Sequence, residues 1–365
     1  MEETLKLSKS NSLANLSNSI LYKYGIKPFH QTIPYIDELL KNEDKKISLV
    51  LLDGFGKYII EHFKDYCPFI YSSLKYEIDS VFPSTTTAST TSLLSGKYPI
   101  ETGYIGWSEY FNKYDSYIDI FLSKNSLTKE DIYPNVLNLL KYESIIDLIN
   151  KTKKYKARSF LSLDYKNNFK EDDLDVLFNE ANNLIDYYDF SYIYVSEPDH
   201  LLHHYGLNDK YVYDIVKYLD ENIKNLAKVH PNTLFLVIAD HGLTDVKLEY
   251  IGHHQEFIDS LEDKNFFLEG RFATFKVKNK KRFIDSYNKF YKDDFILKTK
   301  EDILNEKILG YSDTINKYAY ETLGDFFLIS KSDMCFINTL SSDLKMHHSG
   351  IKKEETKISM GVINL

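Results

Sequence analysis

Three unbroken apolar runs along the chain are each followed by an aspartate. The runs span 47–52, 191–195 and 234–239; Asp53 and Asp240 come directly after the first and third, and Asp199 comes four residues after the second. Such runs are typical of strands buried on both faces. The glycine and proline residues beyond them indicate loops. The pattern therefore predicts three core strands that end in acidic loops.

Amphipathic segments lie between these runs. Apolar residues recur every three or four positions over 13–24, 135–148 and 209–229, which predicts three helices. The alternation of strands and helices predicts an α/β fold with a mostly parallel central sheet and helices on both faces. In such sheets ligands bind beyond the carboxyl ends of the strands. The three aspartates are therefore expected to lie together at one edge.

Residues 246–318 differ from the rest of the chain, because they are rich in lysine and aromatic residues and contain no acidic strand end. We interpret them as an inserted cap subdomain. The length of 365 residues suits one large α/β domain with such an insertion. The catalytic core then comprises 13–245 and 319–365, and the polar residues 1–12 form a flexible N-terminus.

Composition excludes several classes of protein. The net charge of −9 provides no diffuse basic field for a long nucleic acid. The only two cysteines, Cys67 and Cys335, are far apart and predict no disulfide framework, which suits a reducing compartment. No apolar run approaches the roughly 20 residues of a membrane span, and the first residues lack the pattern of a signal peptide. We expect a cytoplasmic protein without a membrane partner.

The histidines are clustered in the second half of the chain. Nine of the eleven fall after residue 199, and all of these except His230 lie in pairs or near pairs: His200, His203, His204, His241, His253, His254, His347 and His348. Aspartate and histidine together suit a divalent ion such as zinc. Asp199 and His203 are four residues apart, so both face the same side of a helical turn. This spacing predicts that the two side chains share a metal ion.

A hydroxyl-rich motif, FPSTTTASTTSLLSG at 82–96, supplies a candidate nucleophile. Thr86 follows Phe82 and Pro83 and precedes a segment that resembles a helix start. A threonine hydroxyl is unreactive at neutral pH unless a base or a metal activates it. A helix N-terminus favours an anion such as phosphate. The position of Thr86 therefore suits phosphoryl transfer.

The order and spacing of these motifs resemble the alkaline phosphatase superfamily, specifically its type I phosphodiesterase and nucleotide pyrophosphatase branch. The most specific motifs are FPSTTTASTTSLLSGKYP, EPDHLLHHYG and IADHG. The resemblance covers roughly 13–125, 190–245 and 320–365. It implies that Thr86 attacks phosphorus to form a phospho- or nucleotidyl-threonine, which water then hydrolyses. Two metals about 4 Å apart would stabilise the entering and leaving oxygens.

The resemblance also implies the metal ligands. The first metal would bind three residues and also contact Thr86, and the second would bind Asp199, His203 and a C-terminal histidine. The ligands of the first metal would be Asp53, Asp240 and His241. The tail HHSGIKKEET resembles the histidine turn of the family, in a register that favours His348 over His347. The two divalent ions are expected to be zinc, with manganese as the alternative.

The chain departs from the family pattern at positions that would contact the substrate. Trp107 stands where the branch typically has an asparagine. Its ring either stacks on a base or packs internally, and we favour packing. Phosphomonoesterases of the superfamily resemble one another in using an arginine to bind the free phosphate oxygens. In this chain, no arginine lies in a motif. This favours diesters or pyrophosphates of nucleotide-like small molecules. His254 and Arg271 are weaker candidates for substrate contacts from the cap.

Three other functions compete with this interpretation. A phosphomonoesterase or phosphomutase of the same superfamily remains the alternative enzyme. A sulfatase is disfavoured, because Cys67 and Pro68 do not match the spacing that a modified nucleophile requires. The alternative from another class is a catalytically silent protein that binds metal and a nucleotide. Loss of a metal-ligand residue would indicate such a silent protein, but residues suited to all six ligand positions are present.

Overall fold

The computed structural model describes residues 8–41, 44–161 and 172–365. The strands are β1 (Lys46–Leu52), β2 (Leu74–Asp79), β3 (Ser108–Phe111), β4 (Ser116–Asp119), β5 (Lys124–Asn125), β6 (Ala157–Leu161), β7 (Phe190–Val195), β8 (Thr233–Ile238), β9 (Thr244–Asp245), β10 (Lys247–Tyr250), β11 (Phe267–Leu268), β12 (Phe272–Phe275), β13 (Phe295–Thr299), β14 (Phe326–Ser330), β15 (Met334–Ile337), β16 (Met346–His347) and β17 (Lys357–Ile363).

The helices are α1 (Leu13–Lys23), α2 (Pro34–Lys41), α3 (Lys57–His62), α4 (Pro68–Ser73), α5 (Thr86–Ser95), α6 (Pro99–Thr102), α7 (Ile145–Lys151), α8 (Asp172–Leu184), α9 (Asp199–Tyr205), α10 (Lys210–Val229), α11 (Gln255–Ile258), α12 (Lys280–Phe290), α13 (Lys300–Asn305), α14 (Lys317–Thr322) and α15 (Lys353–Thr356). Within the part of the chain just defined, no helix is both long and apolar enough to cross a membrane.

The central sheet has six strands in the order β2-β17-β8-β1-β7-β6. Strands β8, β1, β7 and β6 run parallel, whereas β17 is antiparallel to both of its neighbours. The three apolar runs are the strands β1, β7 and β8, and all six residues of β7 and of β8 are buried. The predicted α/β fold with a mostly parallel central sheet is confirmed.

Two groups of helices pack together. One contains α1, α2, α5 and α7, and the other contains α4, α8, α9 and α10. The predicted helices at 13–24 and 209–229 are confirmed as α1 and α10. The predicted helix at 135–148 is wrong, because the structure has only a short 3₁₀ turn at 136–138 and then α7. Ser144 begins α7 instead: its hydroxyl accepts from Asp147 N, while the Asp147 carboxylate accepts from Ser144 N.

A second, fully antiparallel sheet has seven strands in the order β13-β14-β12-β11-β3-β4-β5. Strands β11, β12 and β13 come from the range predicted as a cap. The other four come from 108–125 and 326–330, outside it. An aromatic cluster that includes Phe257, Phe275 and Phe336 packs on this sheet. The boundaries at 246 and 318 stay a prediction, and the expected flexibility of 1–12 concerns residues that lie mostly outside the described ranges.

Candidate active site

The three acidic loops meet at one edge of the central sheet, as the strand pattern predicts. The register pairs Leu52 with Val195 and Leu51 with Ile238, so β1, β7 and β8 end level with one another. Hydrogen bonds then join the first two loops, since Asp53 N donates to Val195 O at 2.8 Å and Asp199 N donates to Asp53 O at 3.1 Å. Parallel strand ends thus bring together carboxylates that are far apart in sequence.

The first cluster contains Asp53, Asp240 and His241, whose candidate ligand atoms all lie within 4.8 Å of one another. All three residues are buried. His241 Nε2 lies 3.4 Å from Asp53 Oδ1 and 3.4 Å from Asp240 Oδ2. Gly54 N and His241 N donate to Asp240 Oδ1, but the buried Asp240 Oδ2 has no hydrogen-bond partner among the described residues. A buried carboxylate oxygen without a donor is costly unless a cation is nearby.

Thr86 is the first residue of α5 and lies against this cluster. Its Oγ1 is 3.2 Å from His241 Nε2 and 3.4 Å from Asp53 Oδ1. The His241 ring places its other nitrogen, Nδ1, 3.2 Å from Gly242 O, so Nδ1 carries the proton and Nε2 presents a lone pair toward Thr86. The hydroxyl predicted as nucleophile therefore shares its surroundings with three groups that can bind a metal.

The second cluster contains Asp199 and His203, one turn apart on α9. His203 Nε2 lies 3.2 Å from Asp199 Oδ2. His203 Nδ1 donates to Met346 O at 2.8 Å, which fixes the ring and leaves Nε2 facing the carboxylate. Asp199 Oδ1 is buried and, within the ranges that the structure describes, accepts no hydrogen bond. The second cluster thus repeats the pattern of the first, with an oriented imidazole beside an unsatisfied carboxylate oxygen.

The histidine turn reaches both clusters because β16 pairs with β9, which follows directly on the loop after β8. The His348 ring lies 4.0 Å from the His241 ring and 5.1 Å from the His203 ring, measured between centroids. His348 Nδ1 is 2.9 Å from Ser349 Oγ. His347 Nδ1 lies 2.8 Å from the backbone N and 3.1 Å from the carbonyl O of His348, so the main chain can pair with either tautomer of this ring.

The electrostatics of the two clusters are dominated by burial. Burial, with the nearby Asp240 and Asp199, holds the pKa of Asp53 well above its usual range, and burial raises the pKa of Asp240 to about 7. Burial also disfavours charge on Asp199 and His203, but their mutual attraction prevails, lowering the pKa of Asp199 and raising that of His203 to about 9. Burial lowers the pKa of His348. Divalent cations bound to these crowded carboxylates would neutralise their negative charge.

A cavity of about 990 Å³ opens beside both clusters. Its wall contains Thr86, Asp53, Asp199, His203 and His348. The remainder of the wall is largely aromatic and hydroxyl-bearing, with Trp107, Ser108, Tyr117, Phe121, Ser126, Phe266 and Phe267 among its residues. Trp107, which replaces the expected asparagine, is half-buried in this wall. Its position fits either stacking on a ligand or packing, with the Phe121 ring 6.4 Å away.

Glu269 is a site residue that sequence reasoning missed. Its side chain lines the cavity, and its Oε1 accepts from Thr85 Oγ1 at 2.6 Å and from Trp107 N at 2.8 Å. Burial raises the pKa of Glu269 to about 7. The available signal was weak: one acidic residue, directly after β11, in an otherwise apolar stretch. Tyr194 was also missed, although its hydroxyl, at the end of the apolar strand β7, donates to Asp53 Oδ2.

The structure corrects two expected substrate contacts. Neither His254 nor Arg271 is among the residues that line the cavity. The His254 ring stacks on Phe290 at 3.8 Å between centroids, beside the aromatic cluster of the second sheet. Arg271 is fully buried in an ion pair with Glu355. Both side chains thus have partners away from the cavity, and we do not propose either as a substrate contact.

Comparison with known proteins identifies one family. Residues 48–137 and 129–350 match the family described as type I phosphodiesterase / nucleotide pyrophosphatase. Among curated proteins, none is significantly similar in sequence to this chain.

Solved structures of ectonucleotide pyrophosphatase / phosphodiesterase 5 have a similar fold. The murine and human proteins are each 14% identical to this chain, with 87% of both chains covered and TM-scores of 0.63 and 0.62. An inactive form of the murine protein in complex with AMP, also 14% identical over 87% of both chains, has a TM-score of 0.61.

Proposed function

The chain belongs to the type I phosphodiesterase / nucleotide pyrophosphatase family of hydrolases, and we propose that it cleaves phosphodiester or pyrophosphate bonds of nucleotide-like small molecules through a covalent intermediate on Thr86. One observation carries the proposal. The Thr86 hydroxyl lies 3.2 Å from His241 Nε2 and 3.4 Å from Asp53 Oδ1, at the end of a large cavity and beside carboxylate oxygens that lack donors.

The two clusters fit two divalent cations. Asp240 Oδ2 and Asp199 Oδ1, one from each cluster, are both buried, and neither has a hydrogen-bond partner in the described part of the chain. The donors are carboxylates and imidazoles without cysteine, a set that suits zinc and also manganese. When bound, such ions would supply stabilisation of negative charge at the hydroxyl and at the phosphate oxygens. In the proposal, Asp53, Asp240 and His241 hold the first ion, and Asp199, His203 and His348 hold the second.

The choice of His348 over His347 rests on the groups that surround each ring. His347 Nδ1 contacts both the N–H and the carbonyl oxygen of His348, so its tautomer does not decide the choice. His348 Nδ1 faces the Ser349 hydroxyl, which can accept its proton and leave Nε2 as a lone-pair donor. The rings of His347 and His348 are about equally far from the His203 ring, at 4.9 and 5.1 Å between centroids. A ligand atom of His348, however, lies within 4.8 Å of candidate ligand atoms of Asp199 and His241. The geometry therefore supports His348 as the ligand.

In the proposed reaction, the Thr86 oxygen attacks phosphorus in line with the departing oxygen. A bond forms between Thr86 Oγ1 and phosphorus while the ester or anhydride bond breaks. Thr86 begins α5, so backbone N–H groups of the first turn are available to the phosphoryl oxygens. Water then cleaves the phospho- or nucleotidyl-threonine and restores the hydroxyl.

The cavity wall supports diesters and pyrophosphates over monoesters. No arginine occurs among the described residues that line it, and the lysine there, Lys129, pairs with Asp119 at 2.9 Å. A terminal phosphate, which has one more non-bridging oxygen than a diester, would thus lack the bidentate clamp that a guanidinium group provides. The aromatic wall suits a planar base. The AMP bound to the similar murine protein adds support for a nucleotide-like substrate.

A comparison of substrates tests this proposal. Protein loaded with Zn²⁺ or Mn²⁺ would be assayed on bis-(p-nitrophenyl) phosphate, p-nitrophenyl phosphate and dinucleotides. We expect the diester to be hydrolysed faster than the monoester. The reverse order would favour the phosphomonoesterase alternative, and inactivity on every ester in the metal-loaded state would favour the silent binding protein. We also propose that residues 246–318 form an inserted cap and that the protein is cytoplasmic.

A further inference from the structure

The ion pair between Arg271 and Glu355 is fully buried, with both side chains 0% exposed. Arg271 Nε and Nη2 donate to the two carboxylate oxygens, each at 2.8 Å. The remaining guanidinium contacts are to Met334 O at 3.0 Å and Ser332 O at 2.9 Å. A buried ion pair adds little net stability compared with apolar residues of similar size. Its position relative to the site therefore indicates a different role.

Glu355 contacts both loops that carry candidate metal ligands. Its Oε1 accepts from Gly350 N at 2.6 Å and its Oε2 from Lys352 N at 3.1 Å, which fixes the turn directly after His348. Its backbone carbonyl accepts from Gly242 N at 2.9 Å, next to His241. Arg271 in turn connects this carboxylate to the second sheet. One pair of residues thus joins both metal-ligand loops to the second sheet.

The turn after His348 packs closely against this pair, and the loop of His241 packs closely against the residue that precedes Glu355. A Cβ atom at Gly350 would lie 2.8 Å from both Arg271 Nη2 and Glu355 Oε2. A Cβ atom at Gly242 would lie 2.1 Å from the carbonyl oxygen of Glu354. These separations are shorter than van der Waals contact. The backbone of each loop therefore approaches the Arg271–Glu355 region as closely as atoms allow, and a shift of the pair would move the loops.

We infer that Arg271 and Glu355 are positioning residues that hold His348 within reach of Asp199 and His203 and thereby set the affinity of the second metal site. This inference rests on the proposed function, since it takes those three side chains as ligands of one cation. The arginine that could have clamped a substrate phosphate instead clamps the turn that bears a metal ligand. Residues that orient metal ligands typically change metal affinity by about 10- to 100-fold when replaced.

Titration with Zn²⁺ alone, in competition with a chromophoric chelator, tests the inference. The wild-type protein is expected to bind two equivalents. Arg271→Lys keeps the charge but cannot reproduce the bidentate contact, so one equivalent should bind as in the wild type and the other about 10- to 100-fold more weakly. Excess Zn²⁺ should then restore turnover. Arg282→Lys is the matched control, because Arg282 forms an exposed ion pair with Asp259 in the same region.

A double variant separates positioning from folding. Arg271→Met with Glu355→Leu removes both buried charges, so thermal stability should recover relative to either single variant, whereas the second Zn²⁺ should stay weakly bound. Two tight equivalents in Arg271→Lys and in the double variant would overturn the inference. Failure of the wild-type protein to hydrolyse any ester would instead contradict the proposed function, and the Zn²⁺ titration does not depend on that result.

Discussion

Thr85, the residue before the candidate nucleophile, donates its hydroxyl proton to Oε1 of Glu269 over 2.6 Å. The same oxygen accepts the backbone N–H of Trp107 at 2.8 Å. One buried carboxyl group therefore joins the start of α5 to the aromatic wall of the cavity. Because Thr86 follows Thr85 directly, the position of its hydroxyl depends on a residue 183 positions further along the chain.

Replacement of Glu269 by alanine is expected to lower kcat by about tenfold and to destabilise the fold by roughly 2–3 kcal/mol. Two hydrogen bonds are lost, each contributing about 1 kcal/mol or somewhat more where a charged acceptor is involved. Steady-state kinetics and urea unfolding measure the two effects. Glu256→Ala is the control, because Glu256 forms an exposed ion pair with Lys289. Unchanged kcat in Glu269→Ala would show that this anchor does not position Thr86.

Replacement of Thr86 by alanine is expected to abolish turnover, because the attacking oxygen is removed, while both metal ions remain bound. Thr86→Ser retains a hydroxyl and should retain measurable activity. Mass spectrometry of acid-quenched protein should detect the phosphorylated or nucleotidylated residue in the wild type but not in Thr86→Ala. Thr314→Ala, at an exposed position, serves as the control. Turnover by Thr86→Ala at the wild-type rate would exclude a covalent threonine.

Replacement of Tyr194 by phenylalanine removes one donor from the first cluster without changing the packing of β7. The Tyr194 hydroxyl donates to Asp53 Oδ2, so it orients a candidate metal ligand. We expect affinity for one Zn²⁺ to fall by about tenfold. Chelator competition measures it, with Tyr187→Phe as an exposed control. Equal affinity in the variant and the wild type would show that Asp53 is oriented without Tyr194.

The sequence predicts those parts of the molecule that depend on local pattern. The strands β1, β7 and β8 and the meeting of Asp53, Asp199 and Asp240 follow from apolar runs, since parallel strand ends share one edge. The helix expected at 135–148 is wrong because side-chain capping at Ser144 outweighs apolar periodicity. Periodicity is an ambiguous signal wherever a capping residue interrupts it.

Contacts between distant segments could not be predicted from pattern. Glu269 and Tyr194 reach the site through pairings of strands that are far apart in sequence, and a single sequence carries no record of them. The same reason applies to Arg271, which was expected near the substrate. Its actual partner, Glu355, lies 84 residues away, in the segment after the histidine turn. Nothing in the spacing of either residue indicates that pairing.

Glu109, in β3, is expected to make stability depend on pH. Its side chain is fully buried, Oε1 accepts from Ile105 N and Gly106 N, and Oε2 has no partner in the described ranges. Burial raises the pKa of Glu109 from 4.5 to about 8. Between these values the folded state retains a proton that the unfolded state has released. The free energy of unfolding therefore falls as pH rises, by up to about 1.4 kcal/mol per pH unit from this group.

Glutamine at position 109 can accept the same two backbone bonds but does not ionise, so Glu109→Gln should remove this contribution. The variant is expected to gain stability relative to the wild type progressively between pH 5 and pH 8, by up to about 1.4 kcal/mol per pH unit. Urea unfolding of both proteins at several pH values measures the difference, in which the contributions of all other groups cancel. Glu256→Gln, at an exposed site, should show no such trend. If the difference in free energy of unfolding between Glu109→Gln and the wild type does not change with pH, Glu109 ionises at the same pH in the folded and the unfolded protein. Burial would then not raise its pKa.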